Sequence, residues 1–350
     1  MNSLTQAYLA NLPVPPRLVR VLTALAEYRG KQTLWAQTKP EVLKRLRHVA
    51  VIQSVESSSR MENIAVGPRT LDRIVRDDAP PEPAERSQAE LAGYRDALAL
   101  IHANAADMPP TENIVRQLHQ TLMRYTAAGG GDYKRAPNDI VETDDDGSIR
   151  RVRLRTVAPA LVPAAMTALH EGLDHALADQ ELEPILLVPL YVHDFLVIHP
   201  FADGNGRVAR LMTLLLLYNM GFEVGRYISL ERLIEDSKAT YYDSLACSDA
   251  AWATGAHNHL PFTEYLLGIV LAAYRELEES TAIDLDHGAR SRMVERAVAA
   301  LPIRFRLADV ERRCPLVGRD TIRSALTKMR KEGRILSEGR GRAASWRRLT

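Results

Sequence analysis

The chain contains 350 residues, of which 46% are hydrophobic and 25% are charged, and both values are ordinary for a soluble globular protein. At ~150 residues per domain, this length predicts two or three domains. No apolar run approaches the ~18 residues of a membrane span, and the two distant cysteines, Cys247 and Cys314, exclude a disulfide framework and a cysteine metal cluster. Because the first residues also lack the basic-then-apolar layout of a secretory signal, we expect a cytoplasmic protein with no membrane partner.

Charge is distributed unevenly along the chain. Residues 290–350 carry 17 Lys and Arg against 6 Asp and Glu, a net charge of +11, whereas the other 289 residues carry 28 Lys and Arg against 38 Asp and Glu, a net charge of −10. A basic C-terminal segment on an acidic body predicts that this segment has a partner of its own.

The N-terminal part, residues 1–110, is predicted to be a helical segment. Its Pro-rich first 20 residues suggest an arm, and apolar residues at helical spacing predict a helix from Pro16 to about Ala36. A second helix is expected to begin at Pro40, a residue type favoured in the first helical turn, and to run through the mid-fifties. It ends in Ser54-Val-Glu-Ser-Ser-Ser-Arg-Met-Glu-Asn63.

The next region alternates between helices and polar links. A Pro-rich link at 76–86 precedes helical patterns at 88–103 and 112–125, and the glycines of 126–135 predict a loop.

Residues 139–157 predict a β-hairpin around the tight-turn dipeptide Asp146-Gly147. In its second strand the arginines alternate with apolar residues, so we expect Arg151 and Arg153 on one face and Val152 and Leu154 on the other.

The most informative stretch is residues 199–210, which lie between two predicted buried helices. Residues 184–198 are apolar nearly all round, and the apolar run from Val208 to Met220 stops at Gly221, a residue type that commonly ends helices. The glycines of the polar stretch permit a tight turn close to a ligand, and the N-terminus of the following helix favours anions. Such a loop is suited to hold a polyphosphate.

Four side chains in this stretch have candidate chemical roles. His199 is the one group here that can exchange protons near neutral pH. Asp203 supplies the kind of oxygen that Mg²⁺ takes alongside substrate phosphates. Arg207 and Arg210 lie one helical turn apart and suit bidentate contacts with phosphate.

The sequence His199-Pro-Phe-Ala-Asp-Gly-Asn-Gly-Arg-Val-Ala-Arg210 resembles the signature His-x-Phe-x-Asp/Glu-Gly-Asn-Gly-Arg-x-x-Arg of the Fic (filamentation induced by cyclic AMP) family. The resemblance implies a mainly α fold, in which a Fic-type helical core carries a β-hairpin flap. It also implies transfer of AMP from ATP to a protein hydroxyl with Mg²⁺ as cofactor.

Carried over by position, the resemblance gives each residue of the signature an expected role. His199 is expected to be the general base that deprotonates the target hydroxyl, and Asp203 is expected to bind Mg²⁺. The expected phosphate-binding groups are the anion hole of Gly204, Asn205 and Gly206 and the clamps Arg207 and Arg210.

A second motif resembles the inhibitory motif of the same family, Ser/Thr-x-x-x-Glu-Gly/Asn. Here it comprises Ser58, Glu62 and Asn63, at the end of a predicted inhibitory helix at about 49–63. In the family this helix places its Glu against the second arginine of the signature, which implies a pair between Glu62 and Arg210. The alternative is a solvated helix end with a serine cap.

The hairpin also has two interpretations. It resembles the family's flap, which aligns a target segment by strand addition, and Arg151, Val152, Arg153 and Leu154 are then target-docking residues that favour acidic targets. Alternatively, an arginine-rich edge strand simply prevents aggregation.

Histidines elsewhere invite metal interpretations, which we regard as the weaker alternatives. His257 and His259 have no carboxylate or cysteine of suitable spacing nearby in sequence, so a loop is favoured. The pair His193-Asp194 is similar to that of HD-type phosphohydrolases, a class that needs further ligands.

The basic C-terminal segment, residues 290–350, resembles a winged helix-turn-helix domain: its pattern is three helices followed by two short strands around Gly339-Arg-Gly341. The candidate contacts with DNA bases or phosphates are Arg319, Arg323, Arg340 and Arg342. Protein contacts or dimerisation are the alternative.

The predicted organisation is thus a helical segment (1–110), a Fic catalytic core (111–280) and a winged helix (290–350). The predicted function is protein adenylyl transfer to Ser, Thr or Tyr, restrained by Glu62. The alternatives are a nucleotide-sensing DNA-binding regulator with little turnover, or a Fic enzyme that removes AMP or uses another nucleotide. The expected partners are ATP, a hydroxyl-bearing target protein (the chain itself included), DNA, and a second copy of the chain in a homodimer.

Overall fold

The computed structural model describes residues 3–64, 66–76, 85–143, 149–282, 287–314, 317–338 and 345–349. Its helices are α1 (Gln6–Leu9), α2 (Pro16–Thr38), α3 (Pro40–Met61), α4 (Pro68–Arg76), α5 (Arg86–Asn104), α6 (Glu112–Leu122), α7 (Val162–Asp179), α8 (Leu187–Ile198), α9 (Asn205–Asn219), α10 (Leu230–Asp236), α11 (Lys238–Asp249), α12 (Leu260–Ala282), α13 (His287–Ala300), α14 (Leu307–Arg313) and α15 (Arg319–Lys331). Its strands are β1 (Ile140–Thr143), β2 (Ile149–Leu154), β3 (Arg304–Arg306), β4 (Ile335–Glu338) and β5 (Ser345–Arg348). The mainly α fold class is therefore confirmed. No helix in the described ranges is both long and apolar enough to cross a membrane.

Two apolar helices form the centre of the larger hydrophobic core. Every residue of α8 is buried, and α9 is buried along nearly its whole length. The surrounding helices contribute the rest of this core, so α8 and α9 contact neighbours on all sides. This explains why both segments are apolar around their full circumference instead of along one stripe.

Helix boundaries differ from the sequence predictions at points that matter for the site. Helix α9 begins at Asn205, three residues before the predicted start, so Gly206 and Arg207 lie in its first turn. Ser237 separates α10 from α11, and its hydroxyl donates a hydrogen bond to the backbone oxygen of Leu233 (2.8 Å). Helix α4 was not predicted.

The N-terminal arm is tied to the core through a buried carboxylate. Asp194 accepts hydrogen bonds from Ser3 Oγ (2.7 Å) and Trp252 Nε1 (2.6 Å), and the Ser3 hydroxyl also lies 2.7 Å from His257 Nε2. The pair His193-Asp194 and the distant His257 are thus neighbours in the structure, with ligand-type atoms of the three side chains within 4.8 Å of one another. The Ser3 hydroxyl lies among them, and we interpret the cluster as the anchor of the arm.

A glycine sets the distance between α5 and α6, which support the loop at 199–210. A Cβ on Gly93 would lie 1.9 Å from the backbone oxygen of Leu122, an atom that cannot move without shifting α6. We therefore expect Gly93→Ala to lower the free energy of unfolding by about 1–3 kcal/mol through overpacking. In the matched control, Gly268→Ala, the added Cβ meets no described atom within 4 Å, and better helix propensity should raise the free energy by about 0.5–1 kcal/mol. Thermal unfolding of both variants tests this, and equal midpoints would contradict it.

The predicted hairpin forms, but its alternation is wrong at Arg153. Strands β1 and β2 pair antiparallel with Ile140 opposite Leu154 and Val141 opposite Val152, so Arg153 is an extra residue in a β-bulge. Such a bulge re-aims a side chain. Arg153 and Leu154 accordingly border the same cavity, whereas Val152 is exposed. The turn at 144–148 lies outside the described residues, as does the side chain of Arg151.

The C-terminal segment has a hydrophobic core of its own, to which α13, α14, α15 and strands β3 and β4 contribute. Its sheet has the order β3-β5-β4, in which the two predicted strands pair antiparallel and β3 is an addition that was not predicted. The side chains of Arg319 and Arg323, in the first turns of α15, are 62% and 58% exposed. Arg340 and Arg342 lie outside the described residues, and the winged-helix interpretation stays a prediction.

Candidate functional site

The loop between α8 and α9 is held in shape by its own side chains and by a left-handed residue. His199 ends α8 with φ 52°, a conformation that non-glycine residues seldom adopt and that turns the chain out of the helix. Asn205 then closes the turn, because its Oδ1 accepts from the Phe201 N–H (2.9 Å) and its Nδ2 donates to the Phe201 oxygen (2.7 Å). The Asn205 side chain is therefore committed to the loop, and its backbone N–H is what it offers to an anion.

The start of α9 is an anion-binding feature of the backbone. Gly204 precedes the helix with φ 80°, and its N–H donates to Asp203 Oδ1 at 2.6 Å. The next N–H groups, from Asn205 to Arg207, have no intrahelical partner because they lie in the first turn. The positive end of the helix dipole adds to their attraction for phosphate.

His199 is arranged to accept a proton through Nε2. Its Nδ1 lies 3.0 Å from the backbone oxygen of Leu196, and a carbonyl only accepts, so Nδ1 carries the hydrogen. Burial lowers the pKa of His199, the contact with Leu196 opposes that shift, and the positive charges of Lys134 and Arg153 reinforce it. The imidazole is therefore neutral at physiological pH, as a general base must be.

This pKa shift predicts the acid limb of the activity profile. A base works in its neutral form, and a pKa below the usual value of about 6.5 makes the neutral form of His199 the major one at that pH and above. We expect the pH profile of a Glu62→Gly variant to have the midpoint of its acid limb below about pH 6.5. Removing Glu62 strengthens the expectation, because its negative charge raises the pKa of His199. An acid limb with its midpoint at or above about pH 6.5 would contradict this assignment.

Arg207 is buried and paired rather than open to a ligand. Its Nη1 lies 2.7 Å from Glu90 Oε2 and its Nη2 lies 3.5 Å from Asp203 Oδ1. Arg86 contacts the other oxygens of the same two carboxylates, at 2.7 Å from Glu90 and 3.2 Å from Asp203. In this structure Arg207 thus links α5 to Asp203, and its predicted contact with phosphate stays a prediction.

Arg210 is held by the end of α3. Its Nε donates to Ser58 Oγ (3.0 Å), and its Nη2 donates to the Ser58 backbone oxygen (3.0 Å) and to Glu62 Oε1 (2.8 Å). Asn63 has φ 60° and directs the chain away from the helix, and the Ile64 N–H returns to Ser59 (3.0 Å). The three residues of the predicted inhibitory motif therefore have separate tasks: two contact Arg210 and one ends the helix.

The Glu62 carboxylate also lies directly against the start of α9. A Cβ on Gly206 would be 2.8 Å from Glu62 Oε1, so only a glycine allows the carboxylate this close. Glu62 thus occupies the space beside both Arg210 and the first-turn amides.

One cavity of about 400 Å³ is bordered by Glu62, His199, residues 202–206 and Arg210. Tyr241, which is buried, and the partly exposed Tyr242 form part of its wall, together with Arg153 from the bulge. Arg153 lies 3.9 Å from Asp249, and its Nε and Nη1 find no hydrogen-bond partner among the described residues.

Residues 109–217 match the model of the Fic/DOC family, and this range contains the whole 199–210 loop. The chain contains a Fic domain. A Fido domain-containing protein of Dictyostelium discoideum is 32% identical over 66 residues, which are 19% of this chain and 46% of that protein. The chain therefore aligns with about half the length of this relative.

Several solved structures have a fold similar to that of this chain. A Fic family protein from Desulfovibrio desulfuricans has a TM-score of 0.63 and 22% identity, with 96% of this chain and 97% of that chain covered. A Fic domain-containing signalling protein from Bacteroides thetaiotaomicron has a TM-score of 0.60 and 22% identity, with coverages of 74% and 96%. Fic-1 of C. elegans has a TM-score of 0.54 and 18% identity, with coverages of 75% and 71%.

Two residues that support the loop of the Fic domain escaped sequence analysis. His119 stacks on Phe201 with ring centroids 3.7 Å apart, and its Nε2 contacts the backbone oxygen of Asp203 at 3.1 Å. Lys134 donates its backbone N–H to Pro200 (2.8 Å) and reaches Ile198 with Nζ (3.3 Å), and burial lowers its pKa to about 8. Both lie outside the signature, and the sequence around them carries no signal that links them to it.

Glu90 and Arg86 were also missed, although Glu90 has a sequence signal. It stands within the apolar run Ala89-Glu90-Leu91-Ala92, and a carboxylate on a buried helix face needs a cationic partner.

Asp203 suits a magnesium ion that is shared with a substrate. Its side chain is half exposed at the cavity, and its two contacts with arginine are long, at 3.2 and 3.5 Å, so oxygen lone pairs remain for a cation. Magnesium commonly takes one carboxylate, substrate phosphates and water. The exposed carboxylate of Asp203 fits the protein part of that pattern.

Proposed function

We propose that this protein transfers AMP from ATP to a Ser, Thr or Tyr hydroxyl of a protein, and that Glu62 restrains the reaction. One observation carries the proposal: a single cavity is bordered by a neutral His199 whose Nδ1 carries the hydrogen, by the first turn of α9, and by Arg210 with a carboxylate on its guanidinium.

The geometry supports an in-line displacement at the α-phosphorus of ATP. His199 Nε2 takes the proton of the target hydroxyl, whose oxygen forms a bond to the α-phosphorus. The bond from that phosphorus to the bridging oxygen breaks, and pyrophosphate leaves. The N–H groups at the start of α9 stabilise the charge that develops on the phosphate oxygens.

Asp203 is the residue that we propose to hold Mg²⁺, which would neutralise phosphate charge when bound. Arg210 is proposed to bind the terminal phosphates, but only after Glu62 has left its guanidinium. Binding of ATP in a productive position and the contact between Glu62 and Arg210 then exclude each other.

The hairpin is proposed to dock the target. Among the described residues β1 and β2 pair only with each other, so either strand can accept a target strand at its other edge. The bulge at Arg153 places one arginine at the cavity that His199 also borders. Exposed Arg319 and Arg323 on α15 are proposed as DNA contacts of the C-terminal domain.

The test is intact-mass analysis of proteins after incubation with the Glu62→Gly variant. Four nucleoside triphosphates should be compared, each with Mg²⁺ and with a chelator. We expect an adduct with the mass of AMP, from ATP and only with Mg²⁺. An adduct from another nucleotide alone would correct the donor. No adduct, combined with salt-sensitive DNA binding that is unaffected by His199→Ala, would favour the regulator hypothesis.

A further inference from the structure

A second cavity, of about 320 Å³, lies between the C-terminal domain and the helix that carries the inhibitory motif. Most of its lining residues are polar or charged and come from α3, α10 and α14, and Leu301, Pro302 and Arg304 complete the wall. The proposed chemistry uses none of these side chains.

Direct contacts cross this interface from α14. Arg312 Nη1 lies 3.4 Å from Glu56 Oε1, and the backbone oxygen of Arg312 accepts from Gln53 Nε2 at 3.0 Å. Arg313 donates from Nη1 to Asp236 Oδ2 (2.8 Å) and from Nη2 to Asp236 Oδ1 (2.5 Å), and its side chain is only 20% exposed. The fork-to-fork geometry of this last pair is the strongest arrangement of two such groups.

Further contacts on α3 and α10 connect this interface with the end of the helix at Glu62. Glu56 Oε1 also accepts from Arg60 (3.0 Å), and Arg60 reaches Glu235 on α10 (2.6 Å). Arg60 stands two residues before Glu62. Lys238 donates to the backbone oxygen of Met61 (3.1 Å), which fixes the last turn of the helix.

We infer that docking of the C-terminal domain on α3 and α10 keeps Glu62 on Arg210, so that this domain is part of the restraint. The charges suit this arrangement, because a segment with a net charge of +11 meets a body with −10 through arginines on one side and carboxylates on the other. The inference rests on the proposed function and adds the element that regulates it.

The ion pairs at this interface are expected to differ in how much they stabilise the docked arrangement. An exposed ion pair contributes little, whereas a bidentate pair that is mostly buried contributes more. We therefore expect Arg313→Glu, which replaces attraction to Asp236 by repulsion, to raise AMP transfer about threefold to tenfold above wild type. Undocking should also expose the last turns of α3 to solvent.

The test uses the full chain and four variants: Arg313→Glu, Asp236→Arg, the double variant that exchanges the two charges, and Glu62→Gly. Arg330→Glu is the matched control, because Arg330 is exposed on α15 and its substitution changes the charge of the chain by the same amount. Labelling by α-labelled ATP and hydrogen exchange at residues 55–62 are measured together. We expect labelling and hydrogen exchange to rise in Arg313→Glu and in Asp236→Arg and to return towards wild type in the double variant. In Arg330→Glu both should stay unchanged.

Two outcomes separate the inference from the proposed function. If Glu62→Gly labels protein but Arg313→Glu labels no more than wild type, the inference is overturned. If no variant labels protein, the proposed function fails, and hydrogen exchange decides the inference alone. Faster exchange in Arg313→Glu than in Arg330→Glu would support it, and equal exchange would overturn it.

Discussion

Replacing His199 with alanine in the Glu62→Gly protein is expected to lower the rate of AMP transfer about 10²–10⁴-fold, the usual contribution of a general base. The hydrogen on Nδ1 is fixed by the backbone oxygen of Leu196, so Nε2 is the acceptor that alanine removes. Affinity for ATP should change little, because the phosphates are proposed to bind the amides of α9 and Arg210. The measurement is the single-turnover rate, with nucleotide affinity determined separately.

His175→Ala is the matched control, because it is also a replacement of histidine by alanine, at a residue that is exposed on α7. Its transfer rate should equal that of the parent protein. A His199→Ala protein that transfers AMP at the parental rate would remove the imidazole from the chemistry.

Replacing Glu62 with glycine is expected to raise transfer and ATP affinity together, about 10- to 100-fold. A hydrogen bond between charged groups is worth about 1.5–3 kcal/mol, and each 1.4 kcal/mol is about tenfold. Arg210 would keep its two contacts with Ser58, so the guanidinium stays in place and becomes open to phosphate. Equilibrium binding of a fluorescent ATP analogue and initial rates of labelling measure the two effects.

Glu62→Gln separates charge from space in the same position. It keeps the shape of the side chain beside Gly206 but loses the charge that attracts Arg210, so its activity should lie between those of wild type and Glu62→Gly. Equal ATP affinity in all three proteins would mean that Glu62 does not compete with the nucleotide.

The centre of the site was predictable from sequence because its parts are local. A turn, a helix start and the residues that we propose to act on phosphate all lie within 199–210, where short-range rules on glycine, helix termini and residue chemistry apply. The same holds for the two buried helices on either side, whose apolar composition indicates burial without further information.

The partners of these residues were less predictable, because they come from distant parts of the chain. Glu90 meets Arg207 across 117 residues, and Ser3 meets Asp194 across 191. The contact of Glu62 with Arg210 was expected only because a family motif pointed to it. No periodicity or spacing within the sequence encodes such pairs.

The hairpin illustrates a different limit. Its strands follow from composition and a turn dipeptide, but a bulge of one residue changes the face to which Arg153 belongs. Strict alternation therefore predicted the element and missed the direction of the side chain that reaches the cavity.

The most direct test of the account is labelling of protein in a cell lysate by α-labelled ATP with Mg²⁺, with wild type, Glu62→Gly and Glu62→Gly/His199→Ala compared side by side. The account predicts weak labelling by wild type, strong labelling by the single variant and none above background by the double variant. Equal labelling by the two variants would contradict the assignment of His199, and labelling by wild type as strong as that by Glu62→Gly would contradict the restraint.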